Sequence, residues 1–420
     1  GTTSLANFLN IQNDYTTGVV TATIEARTKA QLMLETTAGT NDLVSGNNLA
    51  FDVSDATFTT TELIELNSMT TGTIDFTNAG AVTISGTAAE LKAIFDTSVT
   101  DGNDGIITTA LTDALATTTD TGTVDAADLV AIRAATTGVL DITTVGRISG
   151  LLTDVNAILT DAGTNISGHG TELVTITDAT VSASALAVLL VDGAGLTSAD
   201  VTIASSTIEG SATEVSAIIA ADGLVVEHAT DHSATVTGLA AINVTLTGTP
   251  TAAEVNAVAT RTTGAVTASI VGTQTMANLL AGLTETTGHA LTISLADADV
   301  TAANLNTLST LTTGTIALDT AATAGIQSPG VAGTITDLNT AFGDSQITGL
   351  SASVVTVTGG ATVAEINALA ALTSGNVIAT ITDGDMATLA GITETTNALG
   401  ITVTDASISA TALTALDAKT

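Results

Sequence analysis

The sequence predicts an α/β protein, an elongated right-handed solenoid of about fifteen strand-turn-helix repeats of about 23–31 residues with a parallel sheet. Three observations predict this fold. One phrase recurs, as "TAAEVNAVATRTTGAV" from Thr251, "TAANLNTLSTLTTGTI" from Thr301 and "TVAEINALAALTSGNV" from Thr362. Each copy opens with a helix-capping pattern. Each copy then runs through Thr-Thr-Gly, or a close relative of it, into a stretch typical of a strand.

Each helix is predicted to begin at a capping box, in which Thr or Ser is followed three residues later by Glu. In this motif the hydroxyl accepts from one free backbone N–H and the carboxylate accepts from another. Apolar residues such as Ile366 and Leu369 then recur on one face for about two turns, which is too short for a stable isolated helix. The predicted boxes are Thr59 with Glu62, Thr87 with Glu90, Ser211 with Glu214, Thr251 with Glu254 and Thr362 with Glu365, and Asp125 with Asp128 is interpreted as a variant.

Glycine is predicted to end each helix by adopting the left-handed conformation, which carries no Cβ penalty. Strands such as "AVTASIVG" and "NVIATITDG" follow, and they end on Gly or Asp, which suit tight turns. Longer repeats, such as "TIDFTNAGAVTISG" from Thr73, have room for a second short strand. Right-handed crossovers would make the strands of successive repeats parallel. The glycines are Gly18, Gly72, Gly138, Gly264, Gly288, Gly314 and Gly375.

The domain organisation predicted is one continuous repeat array over residues 1–420, with subdivisions near 101–120 and 220–245 where the repeat pattern degenerates. Helix-like segments stand at both ends, "TSLANFLN" and "SATALTALDAKT", and neither carries an obviously polar cap. An uncapped solenoid end exposes apolar surface and backbone donors. We therefore expect the chain to associate with itself head to tail, as a homo-oligomer or a filament. The alternative is that these 420 residues are an excerpt from a longer array, whose next repeat covers the end.

Composition and charge exclude several classes of partner. Aromatic residues make up 2% of the chain, so the core must consist of Ala, Val, Ile and Leu. The 42 acidic residues against 7 basic ones give a formal charge of −35, which opposes binding to nucleic acid and docking on anionic lipid. The chain contains no cysteine, so it cannot form a disulfide. It also contains no uninterrupted apolar run of about 18 residues, so we expect no direct membrane insertion.

Catalytic motifs are not evident in the sequence, so we expect no enzyme. There is no G-x-S-x-G, no P-loop and no Rossmann glycine fingerprint. The histidines show no spacing to Ser or Asp that favours nucleophilic catalysis. They are His169, His228, His232 and His289.

Aspartates at the strand ends are the first candidate site. If the repeats stack in register, these carboxylates line one edge, where like charges at close spacing repel. Calcium binds carboxylate and backbone oxygens and would offset this repulsion. The alternative is that each Asp forms a turn and is screened by solvent. The candidates for calcium are Asp178, Asp297, Asp299, Asp383, Asp385 and Asp405.

A second, weaker metal candidate is the segment "EHATDH", which contains Glu227, His228, Asp231 and His232. If it is helical, the two histidines at i and i+4 share one face, as metal ligands would. The alternative is a polar surface insertion in a degenerate repeat.

The repeats "TAAEVNAVATRTTGAV", "TAANLNTLSTLTTGTI" and "ISGTAAELKAI" resemble those of giant Thr/Ala-rich repeat proteins of bacterial cell surfaces, including S-layer and large cyanobacterial surface proteins. The resemblance implies an extracellular location at a bacterial cell surface and a structural or adhesive role, often with bound calcium. The chain lacks the G-G-x-G-x-D run of calcium-binding nonapeptide repeats, so no specific calcium site is carried over.

Two functions follow as hypotheses. The first is a non-catalytic structural protein whose repeats stack into a surface filament or layer. The alternative is an adhesin-like binding module for glycan, mineral or ice, with a cell-surface glycan as partner. Rows of Thr, as at Thr175 and Thr177 or Thr356 and Thr358, fit an ice-binding face, but β-propensity and solubility also account for them.

Overall fold

A computed structural model describes residues 2–8, 10, 21–32, 48–70, 72–76, 79, 81–96, 111–161, 164–169, 172–192, 200–222, 225–228, 232–270, 274–284, 288–295, 297, 299–318 and 330–420. It confirms the α/β class. The chain divides into two compact units. Unit 1 comprises Gly1–Val181, Ala185–Ser205 and Ala221–Gly238, and unit 2 comprises Ser182–Ser184, Ser206–Ala220 and Leu239–Thr420.

The helices are short, mostly two to three turns. Their bounds are α1 Thr60–Ser68, α2 Ala88–Phe95, α3 Ala126–Ala135, α4 Leu152–Thr160, α5 Ala183–Asp192, α6 Ala212–Ile219, α7 Ala252–Ala259, α8 Met276–Gly282, α9 Ala302–Thr310, α10 Ile335–Gly343, α11 Val363–Ala370, α12 Met386–Leu389 and α13 Ala410–Asp417, with a 3₁₀ turn at Leu350–Ala352.

The strands are also short, and one to three of them lie between most pairs of successive helices. They are β1 Thr2–Thr3, β2 Thr21–Ile24, β3 Asn48–Asp52, β4 Thr57–Thr59, β5 Ile74–Asp75, β6 Thr83–Gly86, β7 Leu115–Thr118, β8 Thr123–Asp125, β9 Leu140–Asp141, β10 Arg147–Gly150, β11 Ile166–Ser167, β12 Leu173–Ile176, β13 Thr180–Ser182, β14 Val201–Ile203, β15 Thr207–Gly210, β16 Val225–His228, β17 His232–Thr237, β18 Asn243–Leu246, β19 Val266–Ile270, β20 Ala290–Leu295, β21 Asp299–Thr301, β22 Ile316–Leu318, β23 Gly330–Gly333, β24 Ile347–Thr348, β25 Val355–Ala361, β26 Val377–Ile381 and β27 Ala398–Gly400.

Strands of successive repeats pair side by side in unit 1. The sheets there run β1-β2-β3-β5, β4-β6-β7-β9-β11 and β8-β10-β12-β14-β17. Their pairings are parallel, and the one antiparallel neighbour among the described strands of the unit is β16, which forms a hairpin with β17. Strand order therefore follows chain order, as expected when each repeat stacks on the one before it.

Unit 2 contains two such sheets, one running β15-β18-β19-β20-β22-β24 and the other β21-β23-β25-β26-β27. Every pairing described within these two runs is parallel. The predicted parallel pairing of consecutive repeats is thus present in both units.

The register of the parallel strands places residues of the same kind beside each other on adjacent strands. In unit 1, Ile148, Val174, Val201 and Val236 are direct partners on adjacent strands, and all four are buried. The positions that follow them carry hydroxyls and face away from this core, because successive side chains of a strand point to opposite faces. The apolar core therefore consists of ladders of Ile, Val and Leu, as the low content of aromatic residues predicts.

Second strands are more common than the sequence pattern predicts. The pattern of "VLDITTVG" from Val139 predicts one strand, but β9 ends at Asp141 and a second strand, β10, begins at Arg147. The Asp141 carboxylate accepts from the backbone N–H of Thr143 at 3.0 Å, which forms a side-chain turn. The two strands then join different sheets, β9 pairing with β7 and β10 with β8.

Candidate functional site

The strand-end aspartates lie at the junctions between repeats, where they contact helix N-termini. In each of four cases the carboxylate Oδ2 accepts from the first backbone N–H of the helix in the preceding repeat. We call this contact the inter-repeat cap. The donor and acceptor pairs are Leu152 N to Asp178, Met276 N to Asp297, Val363 N to Asp383 and Met386 N to Asp405, each at 2.7 Å.

The inter-repeat cap complements the capping box. At helix α11, Thr362 N donates to Glu365 Oε2 at 2.8 Å and Glu365 N donates to Thr362 Oγ1 at 3.3 Å. A helix start leaves its first backbone N–H groups without intrahelical acceptors. The box satisfies two of these donors within the repeat, and Asp383 of the next repeat satisfies a third, that of Val363.

Three further inter-repeat caps lie at positions that were not among the predicted site residues. Lys29 N, at the start of the helical segment 29–32, donates to Asp55 Oδ2. Asp120 Oδ2 accepts from Ala88 N at 2.7 Å, and Gln274 Oε1 accepts from Ala252 N at 3.2 Å. Gln274 shows that the position needs an oxygen acceptor and not a charge. A signal for this role was present in the sequence, because each acceptor lies about one repeat length after the helix start that it caps.

The other two candidate aspartates have different positions. Asp385 is the N-cap of helix α12, and its Oδ1 accepts from Thr388 N at 2.9 Å. That backbone N–H, followed by the Thr388 hydroxyl, lowers the pKa of the Asp385 carboxyl. Asp299 is exposed at the start of strand β21, in register with Gly330 of β23.

In the described part of the chain, the structure does not bring these aspartates together into one group. Four of the six each commit one carboxylate oxygen to a backbone N–H, and a fifth caps its own helix. Across the described residues, no three His, Asp or Glu side chains are grouped so that they could hold a metal ion. Their local geometry therefore fits helix capping, and calcium binding at this edge stays a prediction.

The segment "EHATDH" is not a helix. Glu227 and His228 belong to strand β16, and His232 begins β17, which pairs with β16 in antiparallel fashion. Asp231 lies outside the described residues. The predicted i, i+4 helical face is therefore wrong here, because the chain reverses between two strands and brings the backbones of His228 and His232 into direct register.

In five Thr-Thr-Gly or Thr-Ser-Gly segments that the structure describes, the first threonine is hydrogen bonded to the preceding repeat. Thr312 Oγ1 donates to Leu291 O at 3.0 Å and accepts from Leu291 N at 2.8 Å and from Gly314 N at 2.9 Å. Thr313 donates its N–H and its hydroxyl to His289 O. The hydroxyl-to-carbonyl bond recurs from Thr70 to Leu49, Thr136 to Ala114, Thr262 to Ile242 and Thr373 to Ser353.

The glycine of this segment has a different role from the predicted one. At five positions φ is not in the left-handed region, so the predicted helix-ending conformation is wrong there. A Cβ would instead overlap a carbonyl oxygen of the preceding repeat. The five are Gly72, Gly138, Gly264, Gly314 and Gly375; Gly288 does adopt the left-handed conformation at φ +89°, and Gly18 lies outside the described residues.

Capping boxes are confirmed at all five predicted Thr/Ser–Glu pairs. The proposed variant at Asp125 is confirmed only in part. Asp125 Oδ1 accepts from Ala127 N at 3.0 Å, but Asp128 does not return to the cap and pairs instead with Lys92 of the preceding repeat, Nζ to Oδ1 2.6 Å. A cationic partner one repeat away attracts this carboxylate more strongly than a neutral amide does.

Basic residues also join neighbouring repeats of unit 1, although only their total number entered the predictions from sequence. Besides Lys92 with Asp128, Lys29 Nζ lies 2.6 Å from Glu62 Oε2, and Arg133 Nε lies 2.9 Å from Asp161 Oδ2. Because solvent screens partly exposed pairs of this kind, each contributes little to stability. Their spacing of about one repeat is the signal that could have identified them.

Hydrogen bonds to the capping carboxylates lower their pKa values. For Glu90, Glu254 and Glu365 the main cause is the backbone N–H of the cap residue, followed by its hydroxyl. For Glu214 the Ser211 hydroxyl comes first and the Ser211 N–H second. These shifts follow from bonds that favour the charged carboxylate.

Comparison with known proteins finds no matching family model, curated protein or solved structure. Among the helices of the described ranges, none has both the length and the apolar character needed to span a bilayer.

Proposed function

We propose that this chain is a non-catalytic, extracellular structural protein of a bacterial cell surface. Its repeats would stack as a right-handed solenoid, and copies would associate head to tail into a filament or layer. In this proposal the repeats supply the whole function, since each one builds the surface on which the next one lies.

The observation that carries the proposal is the inter-repeat cap. The side chains that the sequence offered as candidate chemistry, above all Asp178, Asp297, Asp383 and Asp405, are hydrogen bonded to the neighbouring repeat. The threonines of the Thr-Thr-Gly segments are used in the same way. An architecture that commits its polar side chains to stacking supports a scaffold more than a reactive site.

Calcium remains part of the proposal as a ligand of the acidic surface. The formal charge of −35 means that acidic side chains on neighbouring copies would repel one another at close spacing. A divalent cation bound between the copies would relieve that repulsion. Such binding would use carboxylate oxygens not committed to the inter-repeat caps.

Negative-stain electron microscopy of the purified chain tests the proposal. We expect filaments or sheets at neutral pH with added calcium, and we would compare them with samples in chelator. Single particles at every protein concentration and in both conditions would overturn self-association.

A matched variant separates calcium from capping. Asp297→Asn, Asp383→Asn and Asp405→Asn together keep an oxygen acceptor at each inter-repeat cap but remove three charges. If these carboxylates bind calcium between copies, the variant keeps its fold and loses the response to calcium. An unchanged response places the cation elsewhere.

The alternative function is an adhesin-like module for glycan, mineral or ice. A row of hydroxyls on adjacent strands of unit 1 favours it, since Ser149, Thr175, Thr202 and Thr237 are register partners. A saturable increase in melting temperature on adding one such ligand would support this function. Filaments without any ligand would support the structural one.

A further inference from the structure

Side chains of the next repeat accept hydrogen bonds from four backbone N–H groups near the starts of strands. Each donor belongs to a fully buried Leu or Val, so its N–H cannot reach water and needs an acceptor within the protein. The donor and acceptor pairs are Leu49 N to Thr70 Oγ1 at 3.0 Å, Leu291 N to Thr312 Oγ1 at 2.8 Å, Val377 N to Asn397 Oδ1 at 2.9 Å and Val266 N to His289 Nδ1 at 3.0 Å.

His289 and Asn397 occupy the same position in their repeats. Each stands directly before a strand, β20 or β27, and each is followed by Ala and Leu. The register places each of them beside the valine whose N–H it accepts. The imidazole of His289 therefore has the role that the amide of Asn397 has at the other junction.

The two acceptors differ in their response to protons. The amide oxygen of Asn397 accepts at any pH, whereas Nδ1 of His289 accepts only when the imidazole is neutral. Once the ring is protonated both of its nitrogens are donors, so an N–H of the ring would face the N–H of Val266. A buried backbone donor would then be unpaired, which weakens the contact between strands β19 and β20.

The surroundings of His289 favour its titration in mild acid. The side chain is half-buried, and burial lowers its pKa from the ordinary value of 6.5 because it disfavours the charged ring. The neighbouring strands β18, β19 and β22 and helices α8 and α9 carry no titratable residue. Helix α7, which packs on β19, carries Glu254, and Thr251 holds that carboxylate in the capping box. Beyond the end of α7, the Arg261 guanidinium donates to Ser216 O at 3.0 Å.

We propose that His289 makes the contact between the repeats of β19 and β20 sensitive to pH. The neutral ring accepts from Val266 N and holds the two strands together, and protonation in mild acid removes this acceptor and loosens that one junction. The inference goes beyond the proposed function and does not depend on it.

The direction of the pH dependence follows from the lowered pKa of His289. Between the folded-state value and 6.5 the unfolded chain binds more protons than the folded one, so stability rises with pH in that window. The contribution is complete above about pH 7 and is lost as the pH falls through the lowered pKa.

Amide hydrogen exchange of the full chain tests the inference, followed by NMR and expressed as protection relative to the intrinsic rate at each pH. Between pH 7.5 and pH 5 we expect the protection of Val266 N–H to fall about fivefold, the effect of losing one hydrogen bond to a buried donor. The N–H of Val377, whose acceptor is Asn397, is the control within the same sample and should keep its protection.

The matched variant is His289→Asn, which supplies an oxygen acceptor that does not titrate, as Asn397 does. In this variant the protection of Val266 N–H should stay constant over the same range. Imidazole ¹⁵N shifts of the wild type need no variant: the neutral His289 ring should carry its proton on Nε2 and leave Nδ1 as the acceptor.

Four results would overturn the inference. The protection of Val266 in the wild type could be the same at both pH values, or it could fall equally in His289→Asn. Val377 could lose protection to the same extent, in which case acid acts on the whole fold and not on His289. A neutral His289 ring with its proton on Nδ1 would contradict the hydrogen bond itself.

Discussion

The carboxylate of Asp383 accepts a hydrogen bond from the backbone N–H of Val363 at 2.7 Å, although the two residues belong to neighbouring repeats. Thr362 and Glu365 close the capping box at the same helix start. The helix therefore begins with local contacts that any isolated helix could make and with one contact that exists only when the next repeat is in place. This coupling makes neighbouring repeats depend on each other.

Gly314, the glycine of its Thr-Thr-Gly segment, is expected to tolerate no side chain. Gly314→Ala would push a Cβ into the carbonyl oxygen of Leu291, so the free energy of unfolding should fall by about 2 kcal/mol or more. Urea denaturation monitored by circular dichroism measures this change. The matched control is Gly343→Ala at the end of helix α10, where a Cβ meets nothing within 4 Å. Equal stability of the two variants would refute the close approach.

The hydrogen bonds of the buried Thr312 hydroxyl are expected to contribute more to the free energy of unfolding than the shape of the side chain does. Thr312→Val keeps the shape but leaves the backbone N–H groups of Leu291 and Gly314 without their acceptor. Leaving a buried donor unpaired costs about 1–3 kcal/mol, so a loss in this range is expected in urea denaturation. Thr312→Ser retains the hydroxyl and should recover most of the stability. A Val variant as stable as the Ser variant would contradict the hydrogen-bonding role.

The free energy of unfolding is expected to fall in acid, because the glutamates of the capping boxes become protonated. The folded-state pKa values of Glu214, Glu254 and Glu365 lie below the ordinary value of 4.5. Between the two values the unfolded chain binds more protons than the folded one, so stability rises with pH in that window. The contribution is complete above about pH 5 and is lost as the pH falls through the lowered pKa values.

Urea midpoints measured from pH 7 down to pH 3 check this. The matched variant is Glu214→Gln, Glu254→Gln and Glu365→Gln together, since Gln also completes a capping box but does not titrate. We expect a shallower acid decline for the variant. Parallel declines of the two proteins would assign the acid sensitivity to other carboxylates.

Local rules predicted much of this fold from sequence. The capping boxes, such as Thr251 with Glu254, are confirmed because both partners lie within one helical turn and need no knowledge of the rest of the fold. The alternation of apolar residues and Thr in Val377–Ile381 likewise predicted a strand with one buried face.

Contacts between repeats could not be derived in the same way. Asp383 was recognised as a strand-end residue, but its partner Val363 is set by how repeats stack, which no local pattern specifies. The same holds for Gly314, where the neighbouring carbonyl, and not the residue's own φ, requires glycine. At His228 and His232 a spacing of four residues fits a helix face and a hairpin equally well, and tertiary pairing decided for the hairpin.

The central claim is that the strand-end aspartates hold neighbouring repeats together by capping. Urea denaturation in chelator tests it most directly, comparing the wild type with Asp297→Ala, Asp383→Ala and Asp405→Ala combined, and with the corresponding Asn variant as control. Loss of one cap typically costs about 1 kcal/mol, so we predict that the Ala variant loses about 3 kcal/mol without any metal present and that the Asn variant loses much less. Equal stability of all three proteins in chelator, with a difference that appears only when calcium is added, would contradict the account and identify these carboxylates as cation ligands.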